Sequence, residues 1–135
     1  MAPGYKLQAS SGAVQRFMRD FKKLLIWQLG MDIVNKVYDI MPALPQEEKY
    51  GMKSQMTRSA VSIPANVAEG SAKKSVKEYV RYAEIAQGSS FELETHILIV
   101  QRRKWVDDVM MTELLGMVRK EQMMLSKFIE KLEAS

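Results

Sequence analysis

Apolar residues recur at intervals of three and four positions along most of the chain, and this spacing is typical of amphipathic helices. Four such stretches are separated by short segments that contain proline, glycine, serine or aspartate. No stretch alternates between apolar and polar residues as a half-buried strand does. The pattern therefore predicts an all-α protein, an antiparallel up-down-up-down four-helix bundle. The bundle domain is expected over residues 13–135, after a flexible N-terminal lead-in formed by residues 1–12.

Capping residues and prolines predict the limits of the first two helices. The first helix is expected to begin between residues 13 and 23, with Asp20 as a possible N-cap, and to end near Met41. Pro45 can open the second helix, because proline is favoured in the first turn. Gly70 is a good C′ residue and predicts where the second helix stops.

The third and fourth helices have clearer start signals. Ser75 followed by Glu78 is a capping box, and the helix that it opens is expected to continue to about Trp105. Asp107 or Asp108 can cap the fourth helix, which is expected to continue to about Leu132.

The second helix combines an internal proline with small and polar residues. Pro64 has no N–H, so it is expected to kink the helix and to leave the carbonyl of Ala60 without its helical donor, with Ser62, Asn66 or water compensating. Small residues in this helix and in the third helix predict a close helix crossing: Ser59, Ala60, Ser62, Ala65, Ala68 and Gly70, then Ala83, Ala86, Gly88, Ser89 and Ser90.

Composition and charge narrow the possible settings. Cysteine is absent, which removes disulfides and thiolate metal sites and fits a reducing compartment. No apolar run approaches the length of a membrane span, and the N-terminus lacks the apolar core of a signal peptide. We therefore expect a cytoplasmic protein without a membrane partner. The net charge of +4 and the pI near 9.3 permit nucleic acid or an acidic protein as a partner.

Basic residues cluster at three places. Lys73, Lys74, Lys77 and Arg81 can form a stripe that contacts phosphates, or they can be an ordinary solvated face. A second cluster, Arg102, Arg103 and Lys104, suits the negative end of the helix dipole without any ligand. A third cluster, Arg16, Arg19, Lys22 and Lys23, carries the same ambiguity as the stripe.

The sequence offers little to metal binding or catalysis. His96 is the one histidine, and Glu92 lies four residues before it instead of the three that dinuclear metal bundles use. A serine elbow and a glycine-rich phosphate loop are both absent from the sequence. Glu69, Glu92 and Glu94 are expected to be structural, paired with Arg58 or capped by Asn66. We therefore expect no metal, no cofactor and no enzymatic activity.

The apolar stripes of the first and fourth helices are wider than one bundle seam requires. Once the inner halves fill the core, an outer set is expected to remain exposed: Leu25, Leu29, Ile33, Met111, Leu115 and Met123, or their neighbours. A monomer rarely leaves so much apolar surface in water, so subunits are expected to associate. The alternative is an irregular bundle that buries both halves itself.

An ordered set of residues between Phe21 and Leu132 resembles a known family. The set is Leu24, Trp27, Pro45, Glu48, Gly51, Gln55, Arg58, Ser59, Ala60, Ser62, Ile63, Pro64, Asn66, Ala68, Glu69, Gly70, Ser75, Glu78, Ala86, Gly88, Ser89, Glu92, Leu93 and Glu94. It is similar to the four-helix bundle proteins called 23S rRNA-intervening-sequence proteins, and to the accessory protein of diversity-generating retroelements.

The resemblance implies a homopentameric ring of four-helix bundles. The retroelement relative binds nucleic acid and a reverse transcriptase. Together with the basic clusters, this leaves two functions expected for this chain. One is a nucleic-acid-binding accessory protein that contacts RNA or DNA phosphates through repeated basic residues. The other is a protein scaffold that docks a partner such as a reverse transcriptase. A structural role is expected for Arg58, Ser62, Pro64, Asn66, Glu69, Gly70, Gly88 and Glu92.

Overall fold

A computed structural model describes residues 19–135, and the predicted lead-in and the start of the domain at residue 13 lie outside them. Four long helices account for most of these residues, and no strand occurs among them. The helices are α1 (Leu25–Ile40), α2 (Met52–Ser71), α3 (Val76–Arg103) and α4 (Asp108–Ala134). Short 3-10 turns occupy Phe21–Lys23, Met41–Ala43 and Gln46–Glu48. The prediction of an all-α protein with four helices is confirmed.

Each helix packs against two neighbours, α1 and α3 against both α2 and α4. Side-chain pairs between α2 and α3 show that these helices run antiparallel. Ser62 pairs with Ser89 at 2.7 Å between hydroxyl oxygens, and the earlier Ser59 pairs with the later His96 at 3.3 Å. Short connections then place the four helices up, down, up and down around one core.

The predicted caps of α3 and α4 are confirmed. The Ser75 hydroxyl accepts the main-chain N–H of Glu78 at 3.1 Å, as the first half of a capping box requires. The Asp107 carboxylate accepts the N–H groups of Val109 at 2.7 Å and Met110 at 3.2 Å. Both helices therefore begin where their capping residues indicate.

The predicted starts of α1 and α2 are displaced by short 3-10 turns. Asp20 makes no capping hydrogen bond; its carboxylate lies 3.7 Å from the Lys23 ammonium, and α1 begins only at Leu25. Pro45 precedes a 3-10 turn instead of opening α2. The helix begins at Met52, whose N–H is accepted by the Glu48 carboxylate at 3.0 Å.

Gly70 was expected to end α2 but lies within its last turn. The C-cap is Ala72, and Gly70 does not adopt a positive φ. A Cβ atom at Gly70 would lie 2.9 Å from Cβ of Tyr82 and 3.1 Å from Cδ1 of Tyr79. Gly70 therefore permits the close approach of α3, and it is not a left-handed turn residue. The expected close crossing does not include Gly88, because a Cβ there would meet nothing within 4 Å.

The apolar core consists of two halves. The first half joins Ile33, Val37, Ile40, Leu44, Met56, Ala60, Ile63, Leu93, Ile97, Val100, Val106, Met111, Leu114 and Val118. The second half joins Leu24, Ile26, Val67, Tyr79, Ala83, Ala86, Leu125, Phe128, Ile129 and Leu132.

A different kind of layer separates these halves. Each helix contributes to it one buried residue that is not a large aliphatic one: Gly30, Pro64, Ser90 and Glu121. We call these four residues the middle layer. It places a carboxyl group at the centre of the bundle.

The predicted outer apolar set is only partly exposed. Leu25 and Met123 are 67% and 64% exposed, but Ile33 and Met111 are completely buried. The expectation was wrong for the latter two, because both lie on the inward stripes that pack into the first half of the core. Other exposed apolar residues lie on α3: Ile85, Phe91, Leu98 and Ile99.

α2 continues as a helix through Pro64, and the expected kink stays a prediction. The amide of Asn66 donates to the carbonyl and hydroxyl oxygens of Ser62, at 2.8 and 2.9 Å. Ser62 in turn pairs with Ser89. These side chains therefore bond to one another, and neither compensates the carbonyl of Ala60.

We predict that Ala60→Leu lowers the free energy of unfolding by ~1–3 kcal/mol, because Ala60 is completely buried and a larger side chain overpacks the core. Urea denaturation measures the change. Ala65→Leu is the matched control, since Ala65 is exposed on the same helix. Equal stability of the two variants would contradict the packing described for Ala60.

Candidate nucleic-acid interface and polar groove

Arg19 connects two of the basic segments at one end of the bundle. Its guanidinium donates to the main-chain carbonyls of Ser71, at 2.9 Å, and of Lys73. The same guanidinium lies 5.3 Å from the centre of the Tyr79 ring, a cation–π distance. The segment before α1 is thereby fixed to the connection between α2 and α3. Arg16 lies outside the described residues.

The joined segments form what we call the basic end: Arg19, Lys22, Lys23, Lys73, Lys74, Lys77 and Arg81. Part of its charge is offset locally. The Lys73 ammonium lies 3.9 Å from the Glu69 carboxylate and 4.9 Å from the centre of the Tyr82 ring. Lys74, Lys77 and Arg81 are exposed and make no ion pair within residues 19–135.

A shallow groove lies beside the last two of these cations. Lys77 and Arg81 line it together with Val76 and Val80, and its volume is about 710 Å³. Three carboxylates share the lining: Glu78, Glu84 and Glu133. The expected stripe of positive charge is therefore interrupted by negative charge within a single subunit.

A second basic cluster lies at the C-terminal end of α3, and it gives little evidence for a nucleic-acid site. Arg102, Arg103 and Lys104 are exposed, and the guanidinium of Arg103 lies 5.5 Å from the centre of the Trp105 ring. Lys104 itself is the C-cap and adopts the left-handed conformation with φ 57°. Cations at this position complement the helix dipole, which explains them without a ligand.

A polar groove of about 460 Å³ lies between α2 and α3, away from the basic end. Its lining residues are Tyr50, Ser54, Gln55, Arg58, Ser59, Ser62 and Glu92. The groove brings together three residues of the predicted structural set, Arg58, Ser62 and Glu92. Arg58 makes no ion pair within the described part of the chain.

Glu94 and Glu69 have partners other than the predicted Arg58 and Asn66. Glu94 accepts hydrogen bonds from the Gln122 amide at 2.7 Å and the Arg119 guanidinium at 3.0 Å. These two partners, with Gln122 first, lower the pKa of Glu94. Glu69 lies near Lys73, and the amide of Asn66 bonds to Ser62 instead of a carboxylate.

His96 is a buried structural group. Its Nδ1 lies 3.3 Å from the Ser59 hydroxyl, whose other contacts are the main-chain carbonyls of Gln55 at 3.0 Å and Met56 at 3.2 Å. Burial lowers the pKa of His96, and the charge of Glu92 partly offsets this effect. Because the Ser59 hydroxyl donates to its own helix, it is poorly placed to act as a nucleophile.

Neither a metal cluster nor a membrane span is found in the part of the chain that the structure describes. Within residues 19–135, no group of three or more histidine and acidic side chains is arranged to hold a metal ion. None of the helices there is both long enough and apolar enough to cross a bilayer.

Comparison with known proteins places the chain in a family. The family model for the 23S rRNA-intervening sequence protein matches residues 22–127. The chain belongs to this family. No curated protein matches the chain.

A solved structure also resembles the chain. It is a protein of unknown function from the S23 ribosomal protein family of Bacteroides thetaiotaomicron. The TM-score is 0.72 at 17% sequence identity, over 78% of this chain and 98% of the other. At this level of identity the likeness shows the fold alone.

The sequence analysis of this 23S rRNA-intervening-sequence family member did not single out Glu121. Glu121 is completely buried, and neither carboxyl oxygen has a hydrogen-bond partner among the described residues. Burial raises its pKa to about 8. The signal was present, because Glu121 falls between Val118 and Leu125 on the apolar stripe of α4.

We predict that Arg19→Gln lowers the free energy of unfolding by about 1–3 kcal/mol, because two carbonyls lose a charged donor. Urea denaturation and hydrogen exchange at the connection between α2 and α3 measure this effect. Lys22→Gln is the control, since it removes an exposed charge from the same segment. If both variants are as stable as the parent, Arg19 does not join the two segments in solution.

Proposed function

We propose that this protein is a non-enzymatic, oligomeric accessory protein that binds the phosphate backbone of RNA or DNA through its basic end. The observation that carries the proposal is the pair of hydrogen bonds from Arg19 to the carbonyls of Ser71 and Lys73. These bonds bring two separate basic segments to one end of the bundle. Backbone contacts of this kind depend on charge and position and carry little base specificity.

The helix dipole does not account for this charge. Lys22 and Lys23 precede the start of α1, and Lys77 lies in the first turn of α3. Cations are disfavoured at a helix N-terminus, whose partial charge is positive. A bound anion would stabilise these cations at the helix N-termini, because a phosphate is attracted both by the helix dipole and by the lysine side chains.

Self-assembly is the second part of the proposal. In one subunit, carboxylates near Lys77 and Arg81 weaken the positive electrostatic potential. A ring would repeat the exposed cations and concentrate their potential along one rim. Exposed apolar side chains on several helices support association, among them Leu25, Met123 and Phe91. The resemblance to the retroelement accessory protein suggests five subunits, and we propose a homopentamer.

A protein scaffold is the alternative function. The observation that favours it is the set of carboxylates, Glu78, Glu84 and Glu133, around the groove that Lys77 and Arg81 line. Charges of both signs beside the apolar side chains of Val76 and Val80 would bind another protein better than they would bind a polyanion such as nucleic acid. In that case the ring docks a partner such as a reverse transcriptase and has no direct role with nucleic acid.

We predict that the double variant Lys77→Glu/Arg81→Glu loses binding to single-stranded RNA and DNA while it keeps the assembly of the parent. Parent binding should weaken steeply as salt rises and should differ little among sequences. Fluorescence anisotropy at several salt concentrations measures both properties.

Arg102→Glu/Arg103→Glu is the matched control for this double variant, because it reverses the same number of charges at the other end of α3. The control should bind as the parent does. Equal loss in both double variants would show a non-specific effect of net charge. A parent that fails to bind at low salt would favour the scaffold.

Assembly is tested by light scattering at micromolar concentration, where we predict the mass of five subunits. Leu25→Gln and Met123→Gln should shift the mass downward if these exposed side chains lie between subunits. A mass of one subunit would contradict self-association altogether. A dimer or a tetramer would contradict only the number five.

A further inference from the structure

Three residues with unusual properties meet in the middle layer, each from a different helix. A Cβ atom built on Gly30 would lie 3.3 Å from a carboxyl oxygen of Glu121 and 3.4 Å from Cβ and Cδ of Pro64. The carboxyl group of α4 and the proline ring of α2 therefore border the same small space beside α1. Gly30 leaves this space open because it has no side chain.

Pro64 leaves an acceptor on α2 without its usual donor. In a regular helix the N–H of residue 64 would donate to the carbonyl oxygen of Ala60, and proline has no N–H. The side chains expected to compensate, Ser62 and Asn66, bond to each other and to Ser89. Ala60 is completely buried, so its carbonyl oxygen is an acceptor that needs a donor inside the core.

Glu121 has the opposite deficiency. Ionised, it would be a buried acceptor with both oxygens unpaired, which is a costly state in an apolar core. Protonated, it is neutral and carries one O–H donor. A carboxylic acid in this position therefore has the group that the Ala60 carbonyl lacks.

We propose that Glu121 is held as a neutral carboxylic acid whose O–H donates to the main-chain carbonyl of Ala60, so that a proton links α4 to α2 across Gly30. The three residues then explain one another. Pro64 exposes the acceptor, Glu121 supplies the donor, and Gly30 provides the room in which they meet.

No charged side chain stabilises an ionised Glu121 from the helices packed around it. α1 presents Gly30 between Ile26 and Ile33, and α3 presents Ser90 between Ala86 and Leu93. α2 presents the ring of Pro64 between Ile63 and Val67. On α4 the buried neighbours of Glu121 are Val118 and Leu125, and burial is what raises its pKa.

The proton link gives the stability of the fold a defined pH dependence. The folded pKa of Glu121, about 8, lies above the ordinary value of 4.5 for a glutamate carboxyl. The contribution is fully present below the ordinary carboxyl range and is lost progressively as pH rises toward the folded pKa. The parent should therefore lose stability relative to Glu121→Gln between about pH 4.5 and pH 8. In this comparison the titration of other groups, His96 included, cancels.

NMR of ¹³C-labelled glutamate tests the proton directly. The Glu121 carboxyl signal, assigned by its loss in Glu121→Gln, should titrate near pH 8 in the parent. The carbonyl ¹³C signal of Ala60 should shift with the same midpoint, because the bond that it accepts is lost when the proton leaves. A Glu121 that titrates in the ordinary carboxyl range would overturn the proposal, and so would an Ala60 signal that ignores its titration.

Pro64→Ala separates a hydrogen bond from simple burial. Alanine restores an N–H that donates to the Ala60 carbonyl and weakens it as an acceptor for the acid form of Glu121. The pKa of Glu121 should therefore fall by about one pH unit. Ser90→Ala is the control, because it alters the same layer without adding a donor near Ala60. Its Glu121 should keep the parent pKa.

A Glu121 pKa that is unchanged in Pro64→Ala would show burial alone and would overturn the proposed bond. If Pro64→Ala does not fold, infrared spectroscopy of the parent decides between the same outcomes. A protonated acid band, absent from Glu121→Gln, should lie at the lower frequency of a hydrogen-bonded acid. A band at the frequency of a free acid would exclude the bond.

Discussion

The burial of one carboxyl group at mid-height in the bundle constrains the residues around it. A carboxyl group fits into an apolar core only where the neighbouring side chains leave room for it and where the group can be neutral or paired. The layer around Glu121 meets the first condition with Gly30, Ser90 and Pro64. Large aliphatic and aromatic residues fill the core on both sides of this layer. The core is therefore organised by a polar centre as much as by its apolar halves.

Helical periodicity and caps could be read from the sequence because they depend on neighbours within a few residues. Ser75 and Asp107 satisfy N–H groups two or three positions away, so their roles follow from local spacing. Gly70 could not be read in this way. Local rules favour glycine as a helix terminator, whereas its actual role depends on Tyr79 and Tyr82 of the next helix. Tertiary packing decides which side chain lies opposite a glycine, and local spacing does not predict it.

The candidate interface follows the same division. The stripe Lys73, Lys74, Lys77 and Arg81 was visible in the sequence, and its meeting with the segment before α1 was not. That meeting depends on Arg19, which reaches carbonyls more than fifty positions away along the chain. Carboxylate pairing was also a long-range matter, because Glu94 faces α4 and so reaches Arg119 instead of Arg58. Charge clusters can be found in a sequence, but the neighbours that offset them cannot.

The two-part core has a consequence for how the molecule opens. A continuous apolar core couples all its residues into one cooperative unit, while a core divided by a small polar layer can fluctuate as two. The half that contains Tyr79 and Phe128 lies beneath the basic end, and the other half contains Met56 and Leu114. Fraying can therefore begin at one end of the bundle while the other end stays closed. The surface that carries the exposed lysines would then change its shape without global unfolding.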